Sequence, residues 1–281
     1  MKKLKYYWAL LRPVNLGIIA LTQFVFILHG SGYTWANIRF PEIIWMVLSV
    51  IFSAAAGFVI NDIFDIEEDQ INEPALRIVA RHISLTKSRI FYFLLLTLSL
   101  FFGFLSSYSM GFLCLAIGIM LFYYSSDLKG TNLWGNLLVS FVTGAVVFTA
   151  ARAVITLHNG YFAEYALLSF LISMPREITK DIEDIVGDKA QEYETFPIVM
   201  GVKKAVLLSQ FFLGLVFLSI LYLMVFHGNV GYNIFCTLAI LLPIFILFWR
   251  MQKALEKKHF SQISLYLKLL MISGICSVFF L

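Results

Sequence analysis

Long apolar segments, separated by short polar ones, occupy most of this chain of 281 residues. A helix needs about 20 mostly apolar residues to cross a bilayer, because each residue advances the helix by about 1.5 Å. Nine segments approach or meet this requirement, at about 14–29, 42–60, 91–108, 110–125, 134–152, 163–179, 205–226, 232–249 and 263–281. The pattern therefore predicts an all-α polytopic membrane protein with about nine transmembrane helices.

The composition excludes a soluble protein with a large core. Hydrophobic residues make up 60% of the chain and charged residues 14%, with a mean hydropathy of +0.85. A soluble domain has about 45–50% apolar and about 25% charged residues. The three cysteines are far apart and show no spacing typical of zinc sites. Lysines near the N-terminus resemble the start of a signal peptide, but no clean cleavage site follows, so we expect the first span to be retained.

Basic residues are unequally divided between the two sides of the predicted membrane protein. Eighteen of the 21 Lys and Arg residues fall on the side of the N-terminus, the exceptions being Arg39, Arg152 and Lys268. Because Lys and Arg accumulate in cytoplasmic loops, we expect the N-terminus to be cytoplasmic and the protein to lie in a cell inner membrane. The net charge of +4 comes from these loops and gives no reason to expect nucleic-acid binding.

Acidic residues are concentrated in two segments on that same side. Thirteen of the 17 lie in residues 62–73 or 177–194, and each segment reads D-x-x-D-x-x-x-D. At this spacing the three carboxylates of a triplet would share one face of a helix. Carboxylates brought together resist ionisation, and Mg²⁺ relieves this because it takes oxygen ligands and bridges carboxylates to phosphates. The triplets therefore predict a magnesium site for a lipid diphosphate.

The two acidic motifs lie 119 positions apart and follow the second and the sixth predicted spans. A shift of four helices would divide the chain into two four-helix halves, at about 1–125 and 126–250, followed by a ninth helix. We expect residues 1–281 to form a single transmembrane domain. The acidic segments would then face each other across a central cavity that opens to the cytoplasm.

These motifs resemble those of the UbiA superfamily of intramembrane prenyltransferases. Residues 61–69 match that family's N-D-x-x-D-x-x-x-D, and residues 181–188 match its second acidic motif. Residues 12–15 resemble its opening R-P-x-N, and residues 124–136 resemble its Y-S-x-x-L-K…G-N segment. The likeness covers nearly the whole chain.

The resemblance implies Mg²⁺-dependent transfer of a polyprenyl group from a prenyl diphosphate donor to an acceptor. Carried over position by position, it implies metal-site residues at Asn61, Asp62, Asp65, Asp69, Asp181, Asp184 and Asp188. Of these, the resemblance implies that Asp65, Asp69, Asp184 and Asp188 are catalytic. The expected substrate contacts are Arg12, Asn15, Arg77, Arg81, Lys129, Arg176, Glu177 and Lys180. Aromatic side chains would stabilise the allylic carbocation, from which water must be excluded.

One segment departs from the family pattern. Many relatives read N-R-P-x-R-P-I after the first motif, whereas residues 72–78 of this chain read N-E-P-A-L-R-I. Glu73 and Leu76 thus stand where the family has arginines. We expect Arg77 or Arg81 to replace them, and the departure is compatible with a relative of altered activity.

The sequence is compatible with two classes of acceptor. Residues 176–184 and 195–198 look most like the branch that prenylates geranylgeranylglyceryl phosphate, although Glu192 replaces a glycine usual there. Arg176 and Lys180, four residues apart on one helix face, suit the phosphate of such an acceptor. The alternative acceptor is aromatic, of the 4-hydroxybenzoate or dihydroxynaphthoate type used in quinone biosynthesis.

A secondary transporter is the alternative from a different class. Transporters also contain internal repeats, but their ion sites lie near the bilayer midplane. The acidic motifs of this chain are instead predicted at the ends of spans, among basic residues. We therefore favour the enzyme, with a prenyl diphosphate, a lipid-like or aromatic acceptor and membrane lipids as its partners.

Overall fold

The computed structural model describes residues 4–38, 40–72, 74–75, 77–154 and 161–281. Within these ranges every regular element is a helix, and β-pairing is limited to two isolated bridges. The α-helices are α1 Leu4–Leu10, α2 Pro13–Gly30, α3 Glu42–Phe64, α4 Ile66–Asn72, α5 Leu85–Ser106, α6 Tyr108–Tyr123, α7 Trp134–Ala151, α8 Phe162–Glu183, α9 Ile185–Ala190, α10 Phe196–Met200, α11 Val202–Phe226, α12 Val230–Cys236, α13 Leu242–Lys253 and α14 Lys257–Ser277. This confirms the predicted all-α class.

Eight helical segments in the described residues are long and apolar enough to cross a membrane. They are α2, α3, α5, α6 with a π-helical extension (Tyr124–Leu128), α7, α11, α14, and α12 joined to α13 through a second π-helical segment (Thr237–Leu241). Helix α8 is equally long, at 22 residues, but carries charged side chains along its second half. It packs against α7, α11 and α14, and its role as a ninth span stays a prediction.

The outer surface carries large apolar side chains, as contact with lipid requires. Phe93, Phe101, Phe211, Leu218 and Phe245 are each more than half exposed. Inside, one cluster of buried apolar residues centres on α2, α7, α8, α11 and α14, and a smaller one joins α1, α3 and α5. With the eight apolar spans, this surface makes the chain an integral membrane protein.

Polar side chains inside the spans join neighbouring helices. The Gln23 amide of α2 donates to the Val146 carbonyl at 2.7 Å and to Thr149 Oγ1 at 2.8 Å, both on α7. The Ser99 hydroxyl of α5 donates to the Ser49 carbonyl of α3 at 3.0 Å. Such bonds between membrane helices are worth roughly 0.6–2 kcal/mol each. They fix how the helices surround the site.

Both acidic motifs lie where a long helix ends and a short one begins. Asp65 alone separates α3 from α4, and Asp184 alone separates α8 from α9. Their backbone angles, φ −83° with ψ 9° and φ −96° with ψ 5°, lie in the bridge region outside regular helix. The prediction that each triplet shares one face of a continuous helix is therefore wrong. The last carboxylate of each motif, Asp69 or Asp188, lies on the short helix.

Candidate active site

A cavity of about 300 Å³ lies among the helices, charged at one end and apolar elsewhere. The apolar wall includes Phe26, Ile172, Val216 and Ile275. The polar lining includes Tyr124 and all the charged and amide side chains of the wall, which are Arg12, Asn15, Asn61, Lys129, Arg176, Glu177, Lys180 and Lys268. Most of these residues lie near the ends of helices that carry or adjoin the acidic motifs. The cavity can therefore take a molecule with a charged head and a long apolar tail.

A buried ion cluster surrounds Lys129, which follows the π-helical end of α6. Its Nζ lies 2.6 Å from Asp65 Oδ2 and 2.6 Å from Glu68 Oε2. Asn61 also donates to Asp65, whereas Asp65 Oδ1 is buried without a hydrogen-bond partner in the described residues. Burial lowers the pKa of Lys129, but the nearby Asp65 and Glu68 carboxylates outweigh this, so its pKa is well above the usual value. Lys129 is therefore a permanent cation.

Arg12 holds the N-terminal turn against the first motif. Its Nη2 donates to Asp62 Oδ1 at 2.5 Å, and its guanidinium lies over the Phe58 ring, 5.4 Å from the centroid. The Arg12 backbone is left-handed, with φ 49° and ψ 63°, and Pro13 begins α2 immediately afterwards. A left-handed backbone is unfavourable for a non-glycine residue by roughly 1–2 kcal/mol. The ion pair and the ring contact help to hold this turn.

The second motif is held mainly by neutral partners. The Asn136 amide of α7 donates to Asp181 Oδ2 at 2.8 Å, and the Thr195 hydroxyl donates to Asp188 Oδ2 at 3.3 Å. Lys257 Nζ lies 4.0 Å from Asp184 Oδ1 and is largely exposed, so this pair is weak. Unlike the first motif, the second has no close buried lysine among the described residues.

Asn72 brings the two motifs together. It ends α4, its Nδ2 donates to the Asp184 carbonyl at 3.1 Å, and its Oδ1 accepts from the Gly187 amide at 3.0 Å. A Cβ at Gly187 would lie 2.3 Å from Asn72 Nδ2, so the approach requires glycine. Helices α4 and α9 thus lie side by side, and Lys129, which pairs with Glu68 of α4, lines the cavity.

Two carboxylates on these short helices hold protons unusually tightly. Burial, followed by the charges of Asp65 and Asp62, raises the pKa of Asp69 to about 7. Burial, followed by the charge of Glu68, raises the pKa of Asp188 to about 7. Neither forms an ion pair with a described residue. A cation bound between α4 and α9 would favour the ionised forms of both carboxylates and so lower both pKa values.

The donor atoms fit Mg²⁺ that arrives with a phosphate, rather than a preformed metal cage. Among the described residues, no group of three or more His, Cys, Asp or Glu side chains converges to hold a metal ion. The free Oδ1 of Asp65 and the raised pKa values of Asp69 and Asp188 nevertheless mark uncompensated oxygen ligands. Mg²⁺ usually binds through one or two carboxylates plus substrate phosphates. The oxygen-rich donor set therefore suits this metal.

The predicted residues that line the cavity are Arg12, Asn15, Asn61, Lys129, Arg176, Glu177 and Lys180. The six motif aspartates lie outside its lining, and two of them, Asp62 and Asp65, pair with its cations. Two predicted arginines neither line the cavity nor pair with a motif aspartate in the described residues. Arg77 donates to Gln70 Oε1 at 2.9 Å, and Arg81 donates to the Pro74 carbonyl at 2.5 Å. Both therefore stabilise the loop after α4, and neither is in the cavity wall. Glu73 and Leu76, where the sequence departs from the family arginines, lie outside the described residues.

Sequence reasoning missed two charged residues of the site. Glu68 accepts from Lys129, and its spacing from Asp65 (three positions) placed it on the same helical side. Lys268 lines the cavity from α14 and donates to Asn15 Oδ1. Its signal was an ionisable residue inside an otherwise apolar span, which by default marks a functional site.

Comparisons with known proteins cover nearly the whole chain. The model of the UbiA prenyltransferase family matches residues 16–271. A digeranylgeranylglyceryl phosphate synthase of Methanobrevibacter smithii is 33% identical and aligns with 93% of this chain and 92% of its own. A solved structure concerned with digeranylgeranylglyceryl phosphate synthase is 26% identical, with a TM-score of 0.71 and full coverage of both chains.

A second solved structure shares the fold at lower identity. It is a UbiA homologue from Archaeoglobus fulgidus bound to GPP and Mg²⁺, 15% identical, with a TM-score of 0.67. It covers 97% of this chain and 99% of its own. The fold is therefore shared with a protein whose structure was determined with GPP and Mg²⁺ bound.

Proposed function

The chain belongs to the UbiA prenyltransferase family, and we propose that it transfers a polyprenyl group from an allylic prenyl diphosphate to the hydroxyl of geranylgeranylglyceryl phosphate, with Mg²⁺. The observation that carries this proposal is the cavity itself, which five cationic side chains line. Two of these cations pair with the first motif, Arg12 with Asp62 and Lys129 with Asp65. The name of the M. smithii relative supports the acceptor. Membership of an enzyme family removes the transporter alternative.

Mg²⁺ would be held by Asp65 and Asp69 on one side and by Asp184 and Asp188 on the other. Asn61 would support Asp65 through its hydrogen bond. Asp62, paired with Arg12, and Asp181, which accepts from Asn136, would have supporting roles at the metal site. When bound, the metal supplies Lewis-acid stabilisation of the charge that develops on the diphosphate leaving group. The A. fulgidus homologue, which binds GPP and Mg²⁺, supports this proposal.

The chain's own residues would position the donor and exclude water. Lys129 is permanently charged and donates to the diphosphate as the bond between the allylic carbon and oxygen breaks. The electron pair of that bond leaves on the diphosphate. The aromatic rings of Phe58 and Tyr124 line the same wall as Lys129 and can stabilise the allylic carbocation. The prenyl tail occupies the apolar part of the cavity.

The acceptor would enter beside α8. Arg176 and Lys180 are four residues apart on this helix, and both line the cavity. Their charges suit a phosphate head, and the acceptor hydroxyl attacks the carbocation to form the ether bond. The proton released from that hydroxyl goes to Glu177, which is buried beside Arg176, or to the free diphosphate. Arg176→Ala should accordingly raise the KM of the acceptor more than that of the donor.

The test is a product analysis with competing acceptors. Purified protein with Mg²⁺ is given geranyl, farnesyl or geranylgeranyl diphosphate, together with geranylgeranylglyceryl phosphate and 4-hydroxybenzoate. We expect an isoprenyl ether by mass spectrometry, and none when EDTA replaces Mg²⁺. Efficient prenylation of the benzoate without ether would overturn the acceptor and leave the family membership intact.

A further inference from the structure

Lys268 is a charged residue in the middle of α14, whose other lysines, Lys257 and Lys258, lie in its first turn. Helix α14 is long and apolar enough to cross a membrane, and the half-buried Lys268 side chain lines the cavity. Its ammonium donates to Asn15 Oδ1 of α2, which is a neutral acceptor. An ionisable residue in such a helix is costly and is retained where it faces a cavity and meets a partner of opposite charge. Lys268 therefore calls for an anion.

The charged surroundings of Lys268 differ from those of the other cavity cations. Arg12, Lys129 and Arg176 each form an ion pair with a carboxylate, as described above. The positive charge of Lys180 attracts the negative charge of the neighbouring Asp181. In the described part of the chain, no carboxylate lies within ion-pairing distance of Lys268. The charged groups that act on it are Arg12 and Arg176, both positive. Protein groups alone leave this positive charge uncompensated.

We propose that Lys268 binds the phosphate of the acceptor, opposite Arg176, and so selects acceptors that carry a phosphate monoester. This inference rests on the proposed function. A phosphate monoester offers three oxygens and close to two negative charges, which match an ammonium and a guanidinium converging from two helices. Helices α8 and α14 pack together, so the head of the acceptor is held between them. Asn15 holds the ammonium until the phosphate arrives.

We place this site in the same cavity as the donor but on other helices. The donor diphosphate binds where α4 and α9 meet, with Lys129 as its cation, whereas Lys268 is associated with α2 and α8. Removing the Lys268 charge should therefore weaken the acceptor and spare the donor. The loss of this charge should weaken only the binding of acceptors that carry the phosphate. The alcohol left by removing that phosphate has no group for Lys268 to bind.

The experiment compares Lys268→Met and Lys268→Arg with the wild type, using geranylgeranylglyceryl phosphate and its dephosphorylated alcohol as acceptors at saturating donor. Lys258→Met is the matched control, since it removes the same charge from an exposed position of the same helix. For Lys268→Met we expect the KM of the phosphate acceptor to rise at least about tenfold, as loss of a charge-assisted hydrogen bond implies. Lys268→Arg should regain most of this, and Lys258→Met should match the wild type.

Two further measurements on Lys268→Met test the inference, the KM of the donor and the kcat/KM for the alcohol. In Lys268→Met, the donor KM and the kcat/KM for the alcohol should stay within about twofold of wild type, which also shows that the variant folds. If Lys268→Met keeps the wild-type preference for phosphate over alcohol, or loses donor and acceptor alike, the inference is overturned and the proposed function stands. If the wild type itself makes no ether, the proposed function is overturned, and this inference with it.

Discussion

At the scale of single residues, the site is defined by which charges are already compensated. Lys129 forms ion pairs with Asp65 and Glu68, and Arg12 forms one with Asp62. Asp69 and Asp188 form no ion pair with a described residue. The sequence predicted the aspartates through their repeated spacing. It could not show that Glu68 shares Lys129 with Asp65, because that contact joins residues 61 positions apart.

Loss of either central aspartate should abolish transfer. Asp65→Asn and Asp184→Asn each remove a charge from one cluster, so we expect a fall in kcat/KM of at least about 100-fold for each and little further loss for the double variant. Asp127→Asn is the control, because Asp127 is exposed and belongs to neither acidic motif. Near-normal turnover of either variant at limiting Mg²⁺ would refute the assignment.

The raised pKa values predict a pH-dependent demand for metal. A carboxylate with a pKa of about 7 is largely protonated below that pH, and Mg²⁺ must then displace the proton. The half-saturating Mg²⁺ concentration should therefore rise as the pH falls below about 7, by up to about tenfold per pH unit for each proton displaced, and level off above about 8. Mg²⁺ titrations of activity at several pH values measure this. A constant half-saturating concentration would contradict it.

At the scale of elements, apolar length predicted the helices well and their interruptions poorly. Each predicted span overlaps a described helix. The breaks at Asp65 and Asp184 escaped prediction because no proline or glycine stands at either position, so nothing local ends the helix. The break is accompanied by contacts across the molecule, above all those of Asn72 with α9. Sequence periodicity carries no record of such contacts.

Substitution of Gly187 should disturb the junction of the two motifs. In Gly187→Ala the added Cβ would displace the Asn72 amide, which loses hydrogen bonds to the Asp184 carbonyl and the Gly187 amide. We expect activity to fall about tenfold and stability by about 1–2 kcal/mol. Gly214→Ala is the control, because a Cβ there meets nothing within 4 Å. Unchanged melting temperature and kcat/KM in Gly187→Ala would show that the junction is not needed.

At the scale of the whole molecule, the two sides of the protein differ in charge, because the acidic motifs and most basic residues are predicted on the same side. Arg152, one of the basic residues outside the predicted cytoplasmic set, donates to the Ser109 hydroxyl near the turn between α5 and α6, at the other side. Arg39 lies outside the described residues. We propose that the cavity opens to the cytoplasm and that the two four-helix halves are related as a repeat, because α3–α4 and α8–α9 both break at the middle aspartate of an acidic motif.

Labelling of single cysteines tests this orientation. In a background without the three native cysteines, Lys189→Cys on α9 should react with a membrane-impermeant maleimide only from the cytoplasmic side. Tyr108→Cys, at the exposed turn between α5 and α6, should react only from the outside. The loop charges and the positive-inside rule give this direction. Labelling of both positions from one side would exclude the proposed topology.

In the resting site, Lys129 serves as the counter-ion of two carboxylates, and it cannot diffuse away because it is part of the chain. Lys129 already pairs with Asp65 and Glu68, so a metal ion that took both of these carboxylates from it would leave an unpaired ammonium in a buried place. A magnesium diphosphate would bring a cation for the carboxylates and an anion for the lysine together. We therefore expect it to bind more tightly than either ion alone, because each ion pair that it breaks would be replaced by another.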